Sequence, residues 1–317
     1  MPGSAKAETL VIISFYDRRE AQNLERLLEG LRTIPAGQPF DTLVVVNSTG
    51  DTRIDEVVGD QAKVIYRENT GMNIGAWDHG WRTHSNYKSY VFLQDECSVS
   101  SPNWLVHIQK ALGYSEIGLL GESINAAWDR SWETLEIAHK GAQLPDHFIE
   151  GKKADRLPAY LHAFKTWGID RGRDGRHIRS LIWAMRSETL RRIDGFPIGR
   201  NYGECIAAEI AVSKAVESLG LKVAQIAAQE FFCFRHWEWN SNYAGHPALH
   251  KARPSRQMVG LKRQELDTEA INAWKAVVEL ERSNPTIDQE IALASLAAKL
   301  KDREEEIVRL RNLLCKN

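Results

Sequence analysis

Residues 90–105 read YVFLQDECSVSSPNWL: an apolar strand runs into two adjacent carboxylates, Asp95 and Glu96, then a polar loop, then Pro102 at the opening of a helical pattern. Two like charges at the mouth of a buried strand either hold something positive or cap the next helix. Ser100 and Ser101 serve the capping role better, so the acidic pair is read as a site. Working outward, short β-branched runs alternate with helix-patterned segments. TLVIISFY precedes EAQNLERLLEGLRTI, FDTLVVVNS ends at the turn-forming NSTGD, KVIYRE leads into NTGMNIG and a helix through Trp77 and Trp81, and EIGLLGES is a fifth strand. This alternation predicts an α/β fold, a parallel sheet with helices on both faces, whose ligands bind beyond the carboxyl ends of the strands. NSTGD, ENTGMNIG and QDECS then share one rim.

From Ser123 to about Arg179 the pattern blurs, and RGRDGRH reads as a mobile basic loop. Order returns with SLIWAMR, the helix SETLRRI, the turn DGFP, the long helical ECIAAEIAVSKAVESLG and a late strand, LKVAQIAA. After Ser283-Asn284-Pro285 the chain is strongly helical. Leu293, Leu296, Leu300, Arg303, Ile307, Leu310 and Leu314 alternate at spacings of three and four, and Lys299 with Glu304 and Glu306 with Arg311 fall at g and the following e position with opposite signs. That is the pattern of a parallel coiled coil over about 287–315; an amphipathic helix docked on its own domain is the alternative. Residues 1–262 are expected to form the α/β domain and 263–317 a C-terminal helical region.

The 317 residues suffice for one large α/β domain with an appendage, and a formal net charge of −1 gives no basic field for nucleic acid. Four cysteines (Cys97, Cys205, Cys233 and Cys315) lack C-x-x-C spacing, which argues against a zinc site or disulfide framework. No run approaches a membrane span, so the expected location is the cytoplasm, or the periphery of the membrane's inner face. Dinucleotide-binding, P-loop and nucleophile-elbow motifs are all missing.

In the order of these motifs the chain resembles the GT-A fold of nucleotide-sugar glycosyltransferases, in particular the large inverting family 2. The likeness rests on VIISFYDR, LVVVNSTGD, ENTGMNIGAWDHG, YVFLQDE with SPNWL, LIWAMRSETLRRIDGFP and EIAVSKAVESLGLKV, over residues 8 to about 240. NIGAWDHGW also resembles a segment of bacterial rhamnan and O-antigen assembly transferases. The resemblance implies a nucleotide-sugar donor, a glycan or lipid-linked glycan acceptor of a cell-surface polysaccharide, and Mn²⁺ or Mg²⁺, hard ions suited to carboxylates. The tail would join copies of the chain or dock a partner protein. A catalytically silent GT-A scaffold is the alternative; a nucleotidyltransferase ranks last, because FYDRREAQNLE has no glycine.

The family's Asp-x-Asp signature falls on Gln94, Asp95 and Glu96, a departure that leaves Asp95 and Glu96 as metal ligands, Asp95 also as a ribose contact, and puts metal dependence in question. The acid that the family places after the second strand falls on Asn47, with Asp17 a second donor candidate. Turn chemistry accounts for Asn47 equally well. Arg67, Asn69 and Asn73 flank glycines that would let backbone approach a ligand, or simply allow a tight connection. Counting back from Gly220, the family's base falls on Glu209, with Glu204 in reserve. Among the apolar residues of CIAAEIAV, desolvation would raise the Glu209 carboxyl, which suits a base. His236 resembles a late metal-completing histidine, against a packed core residue as the plainer reading. Trp237 and Trp239 would share a face of an extended segment as an acceptor-sugar platform.

Overall fold

The computed structural model describes residues 7–50, 53–143, 146–227 and 230–236. Trp237, Trp239, the helical region 263–317 and its coiled coil lie outside them.

Along the chain run β1 (Thr9–Tyr16), α1 (Gln22–Thr33), β2 (Asp41–Ser48), α2 (Asp55–Val58), β3 (Lys63–Glu68), α3 (Met72–Thr83), β4 (Ser89–Gln94), β5 (Cys97–Val99), α4 (Trp104–Leu112) and β6 (Ile117–Gly121). There follow α5 (Trp132–Ala138), β7 (Phe148–Ile149), β8 (Lys152–Lys153), α6 (Arg156–Thr166), β9 (Ile182–Arg186), α7 (Ser187–Arg192), α8 (Tyr202–Ser218), β10 (Lys222–Gln225) and β11 (Phe234–His236). Seven strands form one sheet in the order β10-β6-β9-β4-β1-β2-β3, all parallel except β9. It is the mainly parallel, helix-flanked α/β sheet that the strand and helix pattern implies.

β1 explains why both faces are covered. Val11, Ile13 and Phe15 point into one layer with Leu24, Leu27, Leu28 and Leu31 of α1 and Trp104 and Ile108 of α4. Leu10 and Ile12 point into the other, with Ile74, Trp77 and Trp81 of α3 and Val212 and Val216 of α8. Each large side chain fully buried this way contributes roughly 1.5–3 kcal/mol.

Strand β9 departs from the expected strict alternation. After β6 the chain makes its long excursion and enters β9 from the rim side, so β9 runs antiparallel to β4 and β6 and needs no crossover. Its register, Leu93 opposite Ile182, sets Ser180 and Leu181 beside Gln94, whose N–H donates to the Leu181 carbonyl at 3.3 Å. Three local expectations are corrected. Pro102 precedes α4 instead of opening it, because Asn103 intervenes in a left-handed turn (φ 58°), and the Ser100 and Ser101 hydroxyls donate to the Phe232 carbonyl rather than capping the helix. The basic stretch 171–177 is pinned: Asp174 accepts from the fully buried Lys214 of α8 at 3.0 Å.

Candidate active site

Parallel β1 and β4 end side by side, so the residues just beyond them meet on the carboxyl rim. Asp95 is 4% exposed there, and its backbone N–H donates to the Ser14 carbonyl at 3.2 Å. Burial pushes its carboxyl up to about 7; neighbouring Arg19 opposes the shift and Glu96 adds to it. Arg19, in the loop after β1, bridges the pair: its guanidinium lies 2.5 Å from Glu96 Oε2 and 3.8 Å from Asp95 Oδ1. Asp95 Oδ2 is buried without a hydrogen-bond partner.

Gln94, the departure from an acidic motif, joins two sides of the rim. Its Nε2 donates to the Ser180 carbonyl at 2.6 Å, and its Oε1 accepts from His236 Nε2 at 3.1 Å. His236 is buried, and the same Nε2 lies 3.6 Å from Glu96 Oε2. While Nε2 carries the proton it donates to Gln94, that nitrogen has no lone pair for a cation; it would first have to lose the proton or pass to the Nδ1–H tautomer. On the other side, Glu209 of α8 accepts through Oε2 from the Ser180 N–H at 2.6 Å and hydroxyl at 2.5 Å, and its Oε1 lies 3.2 Å from His177 Nε2. One continuous set of contacts therefore runs Arg19–Glu96–His236–Gln94–Ser180–Glu209–His177. The expected rise of the Glu209 carboxyl is corrected: burial works in that direction, but His177 and Ser180 outweigh it and hold the group below the ordinary carboxylate range.

A concavity of about 670 Å³ opens at the ends of β2 and β3, lined by Ser48, Thr49, Gly50, Tyr66, Arg67, Glu68 and Asn69. Asp17 organises this end. It accepts from the Thr49 N–H at 2.7 Å and from the Ser48 and Thr49 hydroxyls at 3.0 Å, and these donors overcome burial and keep its carboxyl low.

The other expected donor residues turn inward. Asn47 receives from Arg67 at 2.8 Å and donates to the Met72 carbonyl at 3.0 Å, while Arg67 also donates to the Thr70 carbonyl. Asn73 donates to the Ser180 carbonyl at 2.7 Å, which ties α3 to the Glu209 side. Gly75 lacks a Cβ because one would collide with the Thr70 carbonyl oxygen, so the glycine serves a tight strand-to-helix connection. Glu204 sits in a reciprocal cap of α8: its carboxylate accepts from the Arg200 N–H at 2.8 Å while its own N–H donates to Asn201 at 2.9 Å.

Arg19, His177, Ser180 and Glu122 were not singled out from the sequence. Glu122, one residue past β6 and 1% exposed, accepts from the backbone N–H groups of Phe232, Cys233 and Phe234 at 2.7–2.9 Å, and so fixes the strand that carries His236. Its one visible signal was a carboxylate at a strand end, as in LQDE. Among the described residues no three His, Cys, Asp or Glu side chains converge as a preformed metal cluster, and no helix is long and apolar enough to cross a membrane.

No protein-family model matches the chain, and no curated protein matches it. Solved structures do. A mannosyltransferase from Pyrobaculum calidifontis, in complex with GDP-Man and Mn²⁺, is 14% identical, with 93% of this chain and 81% of that one covered and a TM-score of 0.44. The bifunctional glycosyltransferase WbbM is 12% identical, with 71% and 40% covered and a TM-score of 0.36. A cytidylyltransferase from Leptospira borgpetersenii is 13% identical, with 71% and 78% covered and a TM-score of 0.38.

Proposed function

We propose that the chain is an inverting glycosyltransferase that moves a sugar from a nucleotide-activated donor to a glycan acceptor of a cell-surface polysaccharide. One observation carries this reading: the acidic pair after β4 and the α8 carboxylate Glu209, far apart in sequence, are joined across one rim by Gln94 and Ser180. In this account the nucleotide occupies the concavity beside Asp17, with Asn69 at its edge, and Asp95 and Glu96 face the diphosphate. Glu209 takes the proton of the acceptor hydroxyl. That oxygen bonds to the anomeric carbon from the face opposite the leaving diphosphate, the glycosyl C–O bond breaks and its electron pair leaves with the diphosphate, so configuration inverts.

The donor set suits a hard divalent cation: the partnerless Oδ2 of Asp95 and the Glu96 carboxylate would be oxygen ligands, with His236 as the nitrogen in the tautomer that leaves Nε2 unprotonated. Bound there, Mn²⁺ or Mg²⁺ would supply Lewis-acid stabilisation of the leaving diphosphate. Arg19 already places one positive charge between the two carboxylates and would have to yield part of that position.

The silent-scaffold reading draws on one observation: Asn47, Arg67 and Asn73 spend their polar atoms on internal bonds. Glu209→Gln separates the two. The substitution should abolish transfer, as nucleotide release with acceptor present, and leave donor affinity within about twofold. A variant as active as the wild type moves the base elsewhere, and a wild type that binds no nucleotide sugar favours the scaffold.

A further inference from the structure

Behind the Glu209 carboxylate lies a histidine that the reaction above does not use. His177 is 1% exposed. Its Nδ1 faces only a carbonyl, that of Gly175 at 2.8 Å, so Nδ1 carries a proton and donates it. This fixes the ring with Nε2 turned to Glu209 Oε1 at 3.2 Å and to the Asn125 amide at 3.3 Å, with Trp128 at 6.0 Å between centroids; for Nε2 to donate to the carboxylate the ring must carry a second proton there, with the Asn125 amide turned to offer its oxygen. The titratable groups that face Glu209 come from two elements: His177 from the segment before β9 and Tyr160 from α6, with the Arg156 guanidinium and Tyr202 of α8 beside Tyr160. His177 is the one of them in direct contact.

We infer that His177 is a positioning residue for the base: with Ser180 on the opposite oxygen, it holds the Glu209 carboxylate ionised and in one orientation for the acceptor hydroxyl. This rests on reading Glu209 as the base. A carboxylate gripped by an N–H on one oxygen and by an N–H and an O–H on the other cannot rotate without breaking three bonds to buried partners. Before transfer the proposal places two protons on the ring, one on Nδ1 shared with the Gly175 carbonyl and one on Nε2 shared with Glu209 Oε1; the acceptor O–H then breaks, its proton joins the carboxylate, and the acceptor oxygen forms the new bond to the anomeric carbon as the glycosyl C–O bond breaks. Removing the donor on Oε1 takes away a group that favours the charged form, so the carboxyl must hold its proton to higher pH.

The test uses the full chain and two substitutions, His177→Gln, which keeps an N–H donor, and His177→Phe, which keeps ring volume without one. Carbon-13 NMR of glutamate-labelled protein follows the Glu209 carboxyl, identified by the signal lost in Glu209→Gln. The wild-type group should titrate below an ordinary glutamate, His177→Phe should raise its midpoint by about one pH unit, a tenfold change in proton affinity, and His177→Gln should lie between. A midpoint unmoved in both variants overturns the inference. In transfer assays His177→Phe should lower kcat roughly tenfold or more, leave the donor KM alone and shift the acid limb of the kcat profile upward, with partial recovery in His177→Gln. A kcat loss with no shift of that limb also overturns it. If no nucleotide sugar is turned over by the wild type, the proposed function fails while the NMR titration still decides whether His177 sets the state of Glu209.

Discussion

At the scale of single residues, burial makes the Asp95 carboxyl hold its proton far above the ordinary carboxylate range. Asp95 titrates near 7 in the fold against an ordinary 3.8, and the sign follows directly. Between those values the unfolded chain has released the proton that the folded chain retains, so stability is full below about 4 and falls as pH rises toward 7. Asp95→Asn removes that loss. It should melt about 4–8 °C above the wild type on the alkaline side of neutrality, on the order of 2 kcal/mol, with the two curves converging in acid. Such a gain, paired with loss of donor or metal binding, is what a functional carboxylate shows when its charge is held at the expense of the fold. Equal melting temperatures at alkaline pH would mean that Asp95 sits in a better solvated place than the one described.

At the scale of elements, the short antiparallel pair β5–β11 brings His236 to the rim, and Glu122 is what holds β11 there. Glu122→Ala leaves three backbone N–H groups buried without acceptors, each costing about 1–3 kcal/mol before relaxation. Hydrogen exchange at Phe232, Cys233 and Phe234 should therefore accelerate by two or more orders of magnitude, well before global unfolding. Protection equal to the wild type at these amides would contradict the clamp. Much of the element level was legible beforehand. Buried β-branched runs and helical leucine spacing located β1 to β4, β6, α1, α3 and α8 because those signals are local. The reversal of β9 was not legible, since it depends on which side of the sheet the 122–181 excursion returns from. Nor were Arg19 and His177, whose roles arise from contacts with residues 32 to 77 positions away. Counting along α8 points to Glu209 as the proposed base, but the apolar neighbours in CIAAEIAV do not reveal the donors that arrive from another segment and hold its carboxyl low.

At the scale of the whole molecule, the two concavity-lining ends of the parallel strands and the α8 side of the rim answer to one proposed task, donor on one side and acceptor on the other. The heptad pattern near the C-terminus adds a proposal about assembly. Removal of residues 286–317 should lower the mass measured by light scattering to that of a smaller species, and an unchanged assembly number would assign oligomerisation, if any, to the α/β domain. The most direct test of the rim as a sugar-transfer site is calorimetric titration of the intact chain with UDP-, GDP- and dTDP-sugars, with and without Mn²⁺. The account predicts saturable binding of at least one donor, weakened by an order of magnitude or more in Asp95→Ala/Glu96→Ala. Failure of every donor to bind, or binding indifferent to both carboxylates, would contradict it.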